Sequence, residues 1–153
     1  MMPILISSDH GGFALKEKLI AFFNKKGITV KDLGPFNEER CDYPEFAYAL
    51  AEKISKGKFK RGILICKSGI GNSIVANRLP GVRAALVTNV KIAKLSRMHN
   101  DSNVLVFGSM FVGPDLAKKI TMAWLNTDFE GGRHKRRLAQ IKDIDRKIRS
   151  GGR

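Results

Sequence analysis

Gly62-Ile63-Leu64-Ile65-Cys66-Lys67-Ser68-Gly69-Ile70-Gly71-Asn72-Ser73 is the stretch on which the fold turns. Its first five residues form a short apolar run without alternation, as expected of a strand covered on both faces in a parallel sheet. A glycine-rich turn follows, and Ile70 to Arg78 then reads as a short helix. Strand, turn and helix in that order are the first part of a βαβ crossover.

The same alternation extends in both directions. Upstream, Pro3 to Ser8 is a short apolar strand and Phe13 to Lys26 a helix closed by Gly27. Ile28 to Leu33 alternates like a strand and stops at Gly34-Pro35, and Glu45 to Ser55 carries Phe46, Ala49, Leu50 and Ile54 on one helical face. Downstream come a strand over Val82 to Val87, a helix over Val90 to Met98 and a strand over Asn103 to Phe107. Helices over Asp115 to Asn126 and Lys135 to Ile148 close the chain. The pattern predicts an α/β protein: a single-domain, Rossmann-like, three-layer α/β/α fold around a mostly parallel five-stranded sheet. Residues 1–149 read as that domain and residues 150–153 as a flexible tail.

Composition narrows the function classes. The chain has 153 residues, suited to one compact domain, and no apolar run approaches the roughly 20 residues that span a bilayer. The start lacks a basic region followed by a long apolar one, so no signal peptide is read there, and the cytoplasm is the expected location. Cys41 and Cys66 show no CxxC spacing, so neither a disulfide framework nor a thiolate metal site is expected. His10, His99 and His134 are far apart in sequence and give a metal site no local support. The net charge of +14 would attract nucleic acid non-specifically, and roughly half of the excess follows Gly132. No nucleic-acid recognition motif accompanies it. The basic C-terminal helix therefore reads as a solvated face, with a small anion near its start.

Ligands of open α/β sheets bind beyond the carboxyl ends of the strands. Two of those ends are chemically rich. In the turn after Cys66, successive N–H groups and a helix N-terminus can cradle an oxyanion, and such a field favours thiolate over thiol. Dinucleotide binding is disfavoured, because Ile74 stands where GxGxxG needs its last glycine and no acidic residue ends the next strand. The other reading of Cys66 is a small buried hydrophobe at a strand end. Cys41, flanked by Glu39 and Asp42, reads as an inert loop thiol. His10, before Gly11-Gly12, could hold a phosphate at a helix start, or Asp9 could cap that helix with His10 merely exposed. His99 sits where a histidine would also stabilise a helix C-terminus. Arg133 and Arg137 share one helical face and could clamp a phosphate, or could simply be solvated.

Together and in this order, these segments resemble the type B ribose-5-phosphate isomerases and the wider ribose/galactose isomerase family. The resemblance is carried by Ser8-Asp9-His10-Gly11-Gly12-Phe13, Asp42-Tyr43-Pro44, Ile65-Cys66 with Ser68-Gly69-Ile70-Gly71, His99-Asn100-Asp101 and Glu130-Gly131-Gly132-Arg133-His134. It implies interconversion of ribose 5-phosphate and ribulose 5-phosphate through an enediolate, without cofactor or metal. Cys66 then resembles the base, Lys67 to Gly71 (Gly69 and Ile70 included) the anion hole, Ser68 a hydroxyl assisting ring opening, and His99 the ring-opening acid/base. Asp9, Tyr43 and Asn100 match sugar-binding positions, and His10, Arg133 and Arg137 surround the phosphate. The family resemblance further implies a homodimer, possibly a homotetramer, with the His99-Asn100 segment supplied by the partner.

Three departures stand out against that pattern: Lys67 where glycine is common, Met110 where an arginine often reaches the phosphate, and Asn72 in place of an aliphatic residue. They keep a second substrate class open, the six-carbon allose or galactose 6-phosphates. A sugar-phosphate-binding subunit without catalysis and a nucleic-acid-binding protein are the readings from other classes. Persistence of Cys66 and His99 argues against the first.

Overall fold

The computed structural model describes residues 2–151. Five strands form one sheet in the order β2-β1-β3-β5-β4, with every neighbouring pair parallel. They are β1 (Ile4–Ser8), β2 (Val30–Asp32), β3 (Gly62–Cys66), β4 (Ala84–Leu86) and β5 (Val104–Gly108). The inner strands β1, β3 and β5 are buried at every position, which is why they read as unbroken apolar runs. The edge strands β2 and β4 are three residues long, shorter than the expected Ile28–Leu33 and Val82–Val87.

Helices cover both faces. α1 (Phe13–Lys25), α4 (Val90–Asn100) and α5 (Pro114–Leu125) pack on one side through Leu15, Leu19, Phe23, Ala93, Ile120 and Trp124. α2 (Tyr43–Ser55) and α3 (Ile70–Ala76) cover the other through Ala47, Leu50, Ala51, Ile54 and Ala76. The three-layer architecture is thus the one expected from the alternating pattern. α2 begins two residues before the expected Glu45, because Pro44 suits the first turn of a helix, where its missing N–H costs nothing. A 3-10 turn over His10–Gly12, capped by Asp9 Oδ1 accepting from Gly12 N–H at 3.0 Å, joins β1 to α1.

The last helix, α6 (Arg133–Ser150), stands apart from these layers. His134 is its one buried residue, and Ile141, Ile144 and Ile148 are 46, 52 and 71% exposed. Of the tail expected from residue 150, Ser150 still belongs to α6, and residues 152–153 lie outside the described residues. Among the described residues, no helix is long and apolar enough to cross a membrane.

Two polar anchors sit in this framework. Lys16 is fully buried on α1, with Nζ donating to both Asp32 carboxylate oxygens at 2.7 and 2.8 Å. At the far end of α4, Arg97 is 5% exposed and donates to Asp101 Oδ1 at 2.8 Å and to the Ser102 carbonyl at 2.6 Å. Trp124 Nε1 reaches Ser102 Oγ at 2.8 Å, so the α4 terminus is tied to α5 through buried bonds.

Candidate active site

The chain reverses its direction of winding between β1 and β3, which are neighbours although α1, β2 and α2 separate them in sequence. A crevice opens where such a reversal occurs. Residues that follow β1 and β3 therefore face one another: Asp9 N–H donates to the Ile65 carbonyl at 3.2 Å, and Ser109 Oγ, after β5, donates to the Gly11 carbonyl at 2.8 Å. Gly12 and Gly108 have no room for a Cβ, which would run into the Ile65 and Ser68 carbonyls respectively. Close backbone approach at these glycines is what draws the strand ends together.

Asp9, Tyr43, Cys66, Lys67, Ser68, Ile70, Gly71 and Ile74 line a hollow of about 450 Å³ at this crevice. Cys66 ends β3 and is 4% exposed. Its Sγ accepts the Gly69 N–H at 3.1 Å, and Gly69 reaches that position in the left-handed region, at φ +81°. Ser68 Oγ accepts from Ile70 N–H at 3.2 Å. The Cys66 and Lys67 carbonyls are tied back by Ser109 N–H at 2.8 Å and Met110 N–H at 3.0 Å, so the turn is held on both sides. Tyr43 lies over Gly71, where any Cβ would meet its ring at 2.5 Å.

Beside the hollow, His10 Nδ1 sits 3.2 Å from Cys41 N and 3.1 Å from Cys41 O, which leaves Nε2 uncommitted by that contact. Asp9 both caps the turn and lines the hollow, so the two readings of this segment coexist. Burial pushes the Cys41 thiol up, with the Asp9, Asp42 and Glu45 charges adding to it, in keeping with an unreactive loop thiol. The Lys67 side chain is exposed and runs across Gly11, whose Cβ would come 2.5 Å from Lys67 Cγ. The Met110 side chain is 70% exposed. Asn72 faces inward at 1% exposure, and its Nδ2 has no partner; nothing in the structure explains the amide there.

His99, Asn100, Arg133 and Arg137 are not in this hollow. α4 starts beyond the carboxyl ends of the strands, and its eleven residues carry the chain roughly 16 Å towards their amino ends. His99 and Asn100 therefore lie towards the amino ends of the strands, the opposite end from Cys66. Arg133 and Arg137, both exposed, begin α6 near His99. There the rings of His99 and His134 stack with centroids 4.2 Å apart, and Glu130 lies beside both. Residue spacing could not announce this group, because two segments distant in sequence, the end of α4 and Glu130 to His134, build it. Ile74 was also absent from the expected set, although it lies one helical turn from Ile70 on the same open face.

Two larger hollows, of about 490 and 830 Å³, open under α6. Leu138, Ile141 and Asp145 line both, and neither contains a cysteine or a histidine. The smaller hollow holds the Cys66 thiol and the amide-rich turn, and chemistry rather than size makes it the candidate site.

Comparison with known proteins gives the family. Residues 4–141 match the family model described as Ribose/Galactose Isomerase. Ribose-5-phosphate isomerase B of Escherichia coli (strain K12) is 44% identical over 147 residues, covering 96% of this chain and 99% of that protein. Among solved structures, ribose-5-phosphate isomerase B of Clostridium thermocellum superposes with a TM-score of 0.93 at 46% identity, covering 96% of this chain and 99% of that one. The Mycoplasma genitalium ribose-5-phosphate isomerase B, solved with bound ribulose-5-phosphate, gives 0.90 at 41% identity over 94% of this chain and 96% of its own. With a cysteine at a parallel strand end, an amide-rich turn beyond it and these relatives along nearly its whole length, the chain belongs to the ribose/galactose isomerase family, among the type B ribose-5-phosphate isomerases.

Proposed function

We propose that this protein interconverts ribose 5-phosphate and ribulose 5-phosphate in the cytoplasm, with Cys66 as the base. The observation that carries the reading is the Cys66 sulfur itself, at the wall of a hollow and accepting an amide N–H at 3.1 Å. The thiolate takes the proton from carbon 2 of the open-chain aldose. The electrons move onto the carbonyl oxygen, giving an enediolate; a proton passes from the oxygen on carbon 2 to that on carbon 1, and the proton held by the sulfur returns at carbon 1.

A proton beside a carbonyl is too weakly acidic for a thiolate unless the enediolate is stabilised. The turn from Lys67 to Gly71 is suited to that task, and losing one preorganised donor of this kind costs on the order of 3 kcal/mol. Asp9 and Tyr43 border the sugar. His10 and Lys67 lie beside Gly11, on the side this reading gives to the phosphate. Ser68, which lines the hollow, supplies the hydroxyl that assists ring opening in this reading.

The ring-opening residue, His99, and the phosphate clamp, Arg133 and Arg137, lie at the wrong end of the strands in their own chain for this hollow. The reading therefore places them in the hollow of a second copy, together with Asn100. The exposed isoleucines of α6 supply an apolar face for that association, in a homodimer or a dimer of dimers.

The deciding experiment measures isomerisation of ribose 5-phosphate with EDTA present, alongside allose and galactose 6-phosphates. The expected result is the highest kcat/KM with the five-carbon substrate; a six-carbon preference would transfer the assignment to that class. Cys66→Ala should lower turnover by about 100- to 10,000-fold while a non-reactive phosphate ligand still binds. Undiminished turnover would remove the base from the scheme.

A further inference from the structure

The most unusual group outside the hollow is the stacked pair of imidazoles. His99, on α4, and His134, on α6, lie face to face with their planes only 10° apart. Glu130 Oε2 is 3.6 Å from His134 Nε2 and 4.0 Å from His99 Nε2. His134 is 5% exposed, and its Nε2 has no hydrogen-bond partner. His99 is about one-third exposed. The Glu130 N–H donates to the Met98 carbonyl at 3.1 Å, which stitches the segment bearing the carboxylate to the last turn of α4.

Two imidazoles and a carboxylate with donor atoms within 4.8 Å are also a set of metal-ligand types. The ring planes argue otherwise. An imidazole lone pair lies in its ring plane, and two nearly parallel planes cannot both aim at one ion about 2 Å away. The arrangement instead suits orientation of one imidazole by its neighbours, as a carboxylate orients the working histidine in a catalytic triad.

We propose that Glu130 and His134 are positioning residues for His99. His134 lies flat against the His99 ring and sets its plane. Glu130 accepts the Nε2 proton of His99 after a small rotation closes the gap, leaving Nδ1 as the nitrogen that exchanges a proton with the sugar ring. This inference rests on the reading of His99 as the ring-opening residue. Burial, then His99 and Arg133, hold His134 below the ordinary imidazole range, so His134 does not compete for the carboxylate as a cation. Arg133 and Arg137 on α6 are the remaining charges near the pair. On α4, Arg97 is engaged with Asp101, the residue that caps the helix.

The test combines nitrogen NMR of the histidines with kinetics on the full chain. In the wild type, His99 should be the Nε2–H tautomer when neutral. Glu130→Gln, at a residue 45% exposed, should shift it towards Nδ1–H and lower kcat at least about tenfold with KM within about twofold. His134→Ala should lower kcat similarly, and His134→Phe, which keeps a flat ring, should restore most of it. An unchanged tautomer in Glu130→Gln, undiminished kcat there, or equal losses in the two His134 variants would overturn the proposal. Absence of isomerase activity in the wild type would instead defeat the functional reading, while the tautomer measurement would still report on the carboxylate.

Discussion

The Gly69 N–H meets Cys66 Sγ at 3.1 Å because Gly69 adopts φ +81°, a conformation that aims its amide back at the strand end. The same residue fits against Leu86 and the Phe107 carbonyl carbon, leaving no room for a side chain. One glycine thus sets both the geometry of the turn and its distance from the sheet.

Gly69→Ala should therefore damage stability and chemistry together. The left-handed conformation costs an L-residue about 1–2 kcal/mol, and the clash with Phe107 adds to it. Urea unfolding should show a loss of at least about 2 kcal/mol, and turnover should fall by more than about tenfold as the amide leaves the sulfur. An alanine variant with wild-type stability would contradict the tight packing.

Asn72 presents the opposite case, a buried amide whose Nδ2 is unpartnered. Leaving such a donor unsatisfied costs about 1–3 kcal/mol, and leucine has nearly the same shape. Asn72→Leu should raise the melting temperature by several degrees. A lower melting temperature would mean that the amide has a partner after all.

The Lys16–Asp32 pair joins α1 to the edge strand β2 in full burial on the lysine side. Removing one member leaves a buried charge uncompensated, a change that costs about 3–5 kcal/mol. Asp32 also accepts the Gly34 N–H at 2.8 Å, so Asp32→Ala withdraws two contacts. Lys16→Met should be milder, because the carboxylate left behind is 22% exposed and keeps the Gly34 N–H. Equal losses in the two variants would count against this account.

Stability should depend on pH through His134. Its folded-state affinity for a proton is depressed, chiefly by burial, from an ordinary value of 6.5. The unfolded chain takes up that proton first as pH falls, so the unfolded state gains. The contribution is complete above pH 6.5 and drains away as pH drops through and below that value. Melting temperatures measured from pH 7.5 down to about 5 should decline, with a shallower slope in His134→Phe. Identical slopes would place the titrating group elsewhere.

Much of the architecture was legible from residue order, because burial on both faces of a parallel strand leaves a visible mark. Ile4 to Ile6, Gly62 to Cys66 and Val104 to Phe107 are apolar without alternation, and each is followed by a turn and a helix. Edge strands were less legible: β2 and β4 are three residues long, shorter than the apolar runs that contain them. The site divides in the same way. Cys66, the Ser68–Gly71 turn and the Asp9-His10 segment were readable because each follows a strand directly, and strand ends are where such sheets bind ligands.

Residue order by itself determined the α/β class and which strand ends carry the candidate site residues, since both follow from local hydrophobic pattern and turn chemistry. Only the tertiary structure decided that His99 and the α6 arginines lie towards the opposite end of the strands from Cys66, and that His134 and Glu130 join His99. Those relationships depend on where helices end in space, and helix length, crossover direction and packing set that together.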